Sequence, residues 1–246
     1  MKNKKKYIGC NYFNSFYYGG IDSSFDLMFT DEKVLIQNGI GDIIPCVIGD
    51  VSDAYVLLKN KLEGININNF EDISACIYEV VDEYFGGIKN INTRSSYYKS
   101  LDFIKNDNDI GRVSNLKGKG AAMCVERAML SQNLLNMLGI KSFYKCSGIK
   151  NNDKLEVHSY NLVEHNDKYY VFDTSIPTII NNKINPLVAS IPKDVYDMLS
   201  SPNQRIGYSV RVTHYNSIRN RDVEITYDYN RENIYNCGSD EKNKNK

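Results

Sequence analysis

The feature that most constrains the fold is a helical face followed at once by a run of strands. Cys124, Ala128, Ser131, Leu135 and Leu138 recur at helical spacing on one continuous face, and Gly139 closes it. Three strand-like runs come next, at 141–147, 155–164 and 168–173. Upstream, residues 52–62 read as a helix with Ser52 or Asp53 as cap and Gly64 as stop. Residues 70–85 read as another: Ile73, Ile77, Val80, Val81 and Tyr84 keep the period, and Gly86-Gly87 ends it. Helices first and a strand meander after them predict an α+β fold with an antiparallel sheet. Short strands and turns are expected over 33–48, and mostly loop over 90–119 with a short helix near 97–104. A short helix over 192–199 and a late hairpin of 206–215 with 222–229 complete the expected elements.

The 246 residues suffice for one sizeable core. Residues 1–95 read as an N-terminal extension packed on that core, 96–237 as the core with a C-terminal β elaboration, and 238–246 as a disordered tail. Lys plus Arg and Asp plus Glu both number 30, so zero formal charge argues against a protein that coats nucleic acid or an anionic membrane. The stretch 205–221, with Tyr208 and Tyr215 among its basic residues, reads as a solvated hairpin face. No apolar run reaches the roughly 18 residues of a membrane span. The Lys-rich start is followed by Asn and Tyr instead of an apolar segment, so a cleaved signal is not expected and a cytoplasmic location is. The six cysteines, at 10, 46, 76, 124, 146 and 237, form no C-x-x-C pair, so reduced thiols are expected and a zinc site is not.

The chemistry gathers at three residues. Cys124 stands where Gly118-Lys119-Gly120 leads into the strong helix. Unpaired N–H groups and the positive end of the helix dipole favour a thiolate there, and the same N–H groups can hold an oxyanion. Taken alone, a cysteine at a helix start is more often an inert buried thiol. Downstream, Asn166-Asp167 is a good tight-turn pair. With it as the turn, His165 opposes Lys168, Tyr160 opposes Asp173, and His158 faces Ser175 if pairing extends that far. His158 and Asp173 then share a face as diagonal neighbours, Cβ atoms about 7–8 Å apart or less. A carboxylate in that place fixes the tautomer of a general-base histidine and steadies its positive charge. A thiol, a histidine and a carboxylate from three elements make a nucleophilic triad. His165, at the turn edge, reads as solvated, and His214 has no partner spaced for it.

Cys124-Val-Glu-Arg-Ala128, then Leu134-Leu135 and Leu138-Gly139-Ile140, resembles the nucleophile helix of the transglutaminase-like superfamily. His158-Ser-Tyr160-Asn161 resembles that family's histidine motif, and Tyr169-Tyr170-Val171-Phe172-Asp173-Thr174 its aspartate motif. The order and spacing of the three agree, over roughly residues 115–180. The resemblance implies a papain-like core in which the nucleophile helix packs on an antiparallel sheet. It implies Cys124 as nucleophile, His158 as general base and acid, and Asp173 as its orienting carboxylate. It also implies acyl transfer from a protein or peptide amide through a thioester, to water or to an amine, with no metal and no organic cofactor. The chain departs from the family in Ala122-Met123 before the cysteine, Tyr160 where a Trp is usual, and Thr174-Ser175 after the aspartate. It has no Trp at all to play the upstream role of animal-type transglutaminases. Two other readings stand beside this one. An arylamine N-acetyltransferase-like enzyme shares the triad order, although the Arg-Gly-Gly of that family is missing before Cys124. The same fold could also serve as a non-enzymatic binding or scaffold module. Substrate identity, acyl acceptor and oligomeric state are not written in the sequence.

Overall fold

The structure, a computed structural model, describes residues 34–37, 43–87, 93, 96–97, 100, 111–151, 154–180, 183–200, 209–216 and 221–228. The expectations for 1–33, for most of 88–110 and for 229–246 fall outside them. A small sheet joins β1 (Val34–Gln37), β2 (Ile43–Val47) and β3 (Gly111–Arg112), with β1 antiparallel and β3 parallel to β2. Helices α1 (Ser52–Lys61) and α2 (Phe70–Phe85) follow β2. A 3-10 turn (Val113–Leu116) leads from β3 towards α3 (Cys124–Met137). The main sheet then forms from β4 (Lys141–Asn151), β5 (Lys154–His165), β6 (Lys168–Ile180) and β7 (Lys183–Ile191), with β8 (Ser209–Asn216) and β9 (Arg221–Asp228) after α4 (Lys193–Ser200). Its order is β7-β6-β5-β4-β9-β8, antiparallel at every neighbouring pair. The chain is therefore α+β.

Local chemistry explains most element ends. Asn69 caps α2 by accepting the Glu71 N–H, and Gly86 ends it in the left-handed region that glycine enters freely. The cap expected at Ser52 or Asp53 is displaced: Val51 is the capping position, and the Asp50 carboxylate accepts the Ser52 N–H. Asn166 and Asp167, both at positive φ, form the two-residue turn between β5 and β6, whose backbone twist suits a hairpin. β7 was not expected. Pro186 lies within it, and proline is tolerated there because β7 is an edge strand and the ladder to β6 skips that position.

The main sheet is packed on both faces. On one, Ile73, Ile77, Val80 and Val81 of α2 and Ala128, Leu134 and Leu135 of α3 share a core with Tyr144, Val163 and Phe172. On the other, Val195, Tyr196 and Leu199 of α4 pack with Tyr160, Leu162, Val171 and Leu187. Residues 48–85 thus belong to the same core as α3 and the sheet. α3 is buried all round, from Glu126 to Asn136, and most of its polar side chains find partners inside the protein, although Arg127 Nη1 and Asn136 Nδ2 find none among the described residues. Gln132 donates to the carbonyl and hydroxyl oxygens of Ser142, Asn161 donates to Ala128 O and Gln132 Oε1, and the Tyr55 hydroxyl donates to Asn133.

The loop before α3 is seated on the end of α2. Gly118 N–H donates to Tyr84 O and Gly120 N–H to Phe85 O, at 2.8 and 2.6 Å. A Cβ on Gly86, whose φ is +77°, would meet Gly118 O at 3.1 Å. Gly86→Ala is expected to cost about 1–2 kcal/mol from the left-handed backbone alone, before the contact with Gly118 is counted. Urea denaturation of the variant checks this; an unchanged midpoint would mean that Gly86 does not hold the left-handed conformation that ends α2.

Candidate functional site

Cys124 is the first residue of α3 and is partly exposed. The helix start beneath it is held by Glu126, whose side chain accepts the Met123 N–H at 2.9 Å. That bond turns Glu126 back along the chain, as its position on the helix predicts, instead of towards the thiol. The Gly118–Gly120 turn spends two of its N–H donors on α2 carbonyls, so it braces the approach to α3 and does not form an open phosphate cradle.

His158 and Asp173 stand on β5 and β6. The β5–β6 ladder runs from His165↔Lys168 to Asn161↔Phe172, the register that the Asn166-Asp167 turn predicts. It stops there, so the further pairing of Tyr160 with Asp173 and of His158 with Ser175 does not form. The side chains nevertheless meet: His158 Nε2 lies 2.6 Å from Asp173 Oδ2. Cys124 also acts on this ring and favours its charged form. With Nε2 committed to Asp173, Nδ1 is the ring nitrogen left for the thiol.

A bulge aims the aspartate. Register between β6 and β7 jumps from Asp173↔Leu187 to Thr178↔Asn185, so four residues of β6 stand against Pro186 alone. Such irregularities bend a strand and re-aim its side chains. Here the chain curls so that Ser175 donates both its N–H (2.9 Å) and its hydroxyl (2.7 Å) to Asp173 Oδ1, leaving Oδ2 for the histidine.

The electrostatics follow from burial and pairing. Burial opposes a charged ring at His158, but the Asp173 carboxylate and Cys124, through charge and hydrogen bonds, outweigh it. The imidazole is held well above its ordinary 6.5. Burial likewise opposes the Asp173 carboxylate, and the His158 ring and both Ser175 donors outweigh it, so its pKa is lowered. The arrangement can hold a proton between sulfur and imidazole while the carboxylate fixes the ring.

The structure thus brings Cys124, His158 and Asp173 together. The other histidines stand apart. His165 is not simply solvated: its Nε2 is 3.1 Å from Ile67 O and also 3.1 Å from Asn166 Nδ2, which ties the β5–β6 turn to the segment before α2. His214 sits on β8 opposite Val223. Two contributors were missed in the sequence. Ser175 carries a readable signal, an Asp followed at i+2 by a residue whose N–H it can bind. Arg127, fully buried on α3, carries none, because its partners come from distant segments. Among the described residues no cluster of His, Cys, Asp and Glu could hold a metal ion, and no helix is long and apolar enough to cross a membrane.

No family model matches the chain, and no curated protein matches it.

Proposed function

We propose that the protein is a thiol-dependent enzyme of transglutaminase-like, papain-like type, acting on protein or peptide amides through a Cys124 thioester. One observation carries the reading: a partly exposed thiol at a helix start acts on the ring of a histidine whose Nε2 lies 2.6 Å from a buried carboxylate. Cys124 Sγ, its proton passed to His158, attacks the amide carbonyl carbon. The oxyanion that forms is met by the Cys124 backbone N–H at the helix start. The C–N bond breaks, and His158 returns the proton to the departing amine. Water or a second amine then attacks the thioester, yields a proton to His158, and restores the thiol on release. Asp173 holds the ring in the tautomer each step needs.

Brief, limiting iodoacetamide at about pH 6 tests the pair, since an ordinary thiol reacts slowly there and a thiolate quickly. Peptide mass spectrometry is expected to find Cys124 labelled first, and to find that preference lost in His158→Ala. Cys76, which burial pushes up, is expected to stay unlabelled. If Cys124 labels no faster than the remaining thiols, the enzyme reading gives way to a binding module on the same fold.

A further inference from the structure

We propose that Arg127 is the positioning residue of this triad: from one turn along the nucleophile helix, its guanidinium holds the peptide unit that aims Asp173 at His158. The proposal rests on the thiol-enzyme reading above. Arg127 Nε donates to Thr174 O at 3.0 Å, while Nη2 meets Asp82 Oδ1 of α2 at 3.1 Å and the guanidinium carbon lies 5.7 Å from the Tyr78 ring centre. The Thr174 carbonyl and the Ser175 N–H belong to one peptide unit. That N–H is the one that donates to Asp173 Oδ1. A cation on the carbonyl end polarises the unit and fixes its plane, so the N–H end is both stronger and better aimed.

The need for such a hold is visible in the sheet. Residues 174–177 belong to neither neighbouring ladder: pairing with β5 ends at Phe172, and pairing with β7 resumes at Thr178. The strand that carries Asp173 is therefore released from sheet hydrogen bonds directly after it. α3 replaces them twice. Arg127 takes the backbone of Thr174, and Ser131, whose hydroxyl also donates to Arg127 O, meets the Thr174 hydroxyl at 3.1 Å. The nucleophile and the carboxylate are thereby clamped to one helix. A buried cation is a costly filler where an apolar side chain would serve for packing alone, which favours a task for it. The effect is one of position. The groups that hold the Asp173 carboxylate down are His158 and Ser175, and Arg127 reaches it through the peptide.

The test reads the alkylation rate of Cys124 against pH, from about pH 5 to about pH 9, in the full chain carrying Arg127→Gln, Arg127→Lys or Asp82→Asn. The groups acting on the His158 ring are Asp173 from β6 and Cys124 from α3; in strand register β4 places Ser147 opposite His158 and Lys145 opposite Tyr160. None of these is altered. Arg127→Gln is expected to label about tenfold more slowly at about pH 6, with the midpoint moved to higher pH. Arg127→Lys keeps the charge but cannot span both partners, and is expected to fall between Gln and wild type. Asp82→Asn loosens the guanidinium from its far end and is expected to move the midpoint up by a smaller amount. An effect of charge alone would have the opposite sign, since removing an anion favours thiolate. A merely structural Arg127 would lower the folded fraction seen by circular dichroism and leave the midpoint in place. If Arg127→Gln does not fold, Asp82→Asn decides. Midpoints equal to wild type overturn the proposal while leaving the triad intact. A wild type without His158-dependent fast labelling overturns the enzyme reading and this proposal with it.

Discussion

Cys124→Ala is expected to abolish amide turnover and leave the fold standing. The thiol is partly exposed and replaces no large buried side chain, so its removal is expected to cost under about 1 kcal/mol. The loss of rate is of another order. Without sulfur no thioester can form, and His158 and Asp173 have nothing to activate, so the rate falls by at least about 10⁴-fold. Triads fail as units, and His158→Ala is expected to lose nearly as much. Two assays on an unfolded protein substrate measure this: new amino termini report transfer to water, and incorporation of a fluorescent primary amine reports transfer to an amine. Turnover that survives in Cys124→Ala would end the thioester route. Turnover lost together with the thermal transition would mean that Cys124 matters to the fold, and the chemical conclusion would not follow.

What could be read in advance of the structure was what local chemistry dictates. The Asn166-Asp167 turn sets the register of the β5–β6 hairpin, and with it the approach of His158 to Asp173, because only a few residues of regular strand intervene. The stop of α2 at Gly86 and the start of α3 at Cys124 were legible for the same reason. The rest depends on partners far along the chain. Arg127, Gln132 and Asn133 have the composition of a solvent face, but they are buried because α1, α2, β4, β5 and β6 bring polar partners to them. Pro186 argues against a strand until β7 is known to be an edge. The parting of β5 from β6 beyond Asn161↔Phe172 has no mark in the alternation of residues, and it leaves Asp173 dependent on Ser175 and α3 for its aim.

Asp173→Asn is expected to be nearly as damaging as loss of the histidine, although it keeps the shape of the side chain. Both donors of Ser175 point at Oδ1, so an amide placed there turns its oxygen to Ser175 and its NH₂ to His158. Facing a donor, Nε2 must become an acceptor, and the proton moves to Nδ1, where it can no longer receive one from the thiol. A wrong tautomer of this kind costs about 10³–10⁴-fold in the acylation step. The pH dependence separates this from simple loss of fold. His158 is raised in the folded state, so its contribution is complete below its ordinary 6.5 and fades as pH rises through the folded value. Asp173 is lowered, so its contribution is present above its ordinary 3.8 and fades as pH falls through the folded value. The wild type should therefore exceed Asp173→Asn in stability most clearly between those ordinary values, with the difference shrinking on both sides. Asp173→Ala, which also strips Ser175 of its acceptor, is expected to cost about 3–5 kcal/mol in that window. Urea titrations at a series of pH values give the differences directly. A stability gap between wild type and Asp173→Asn that is flat with pH would show that no ion pair forms between His158 and Asp173. Full-rate labelling of Cys124 in Asp173→Asn would show that the ring is oriented by something other than the carboxylate.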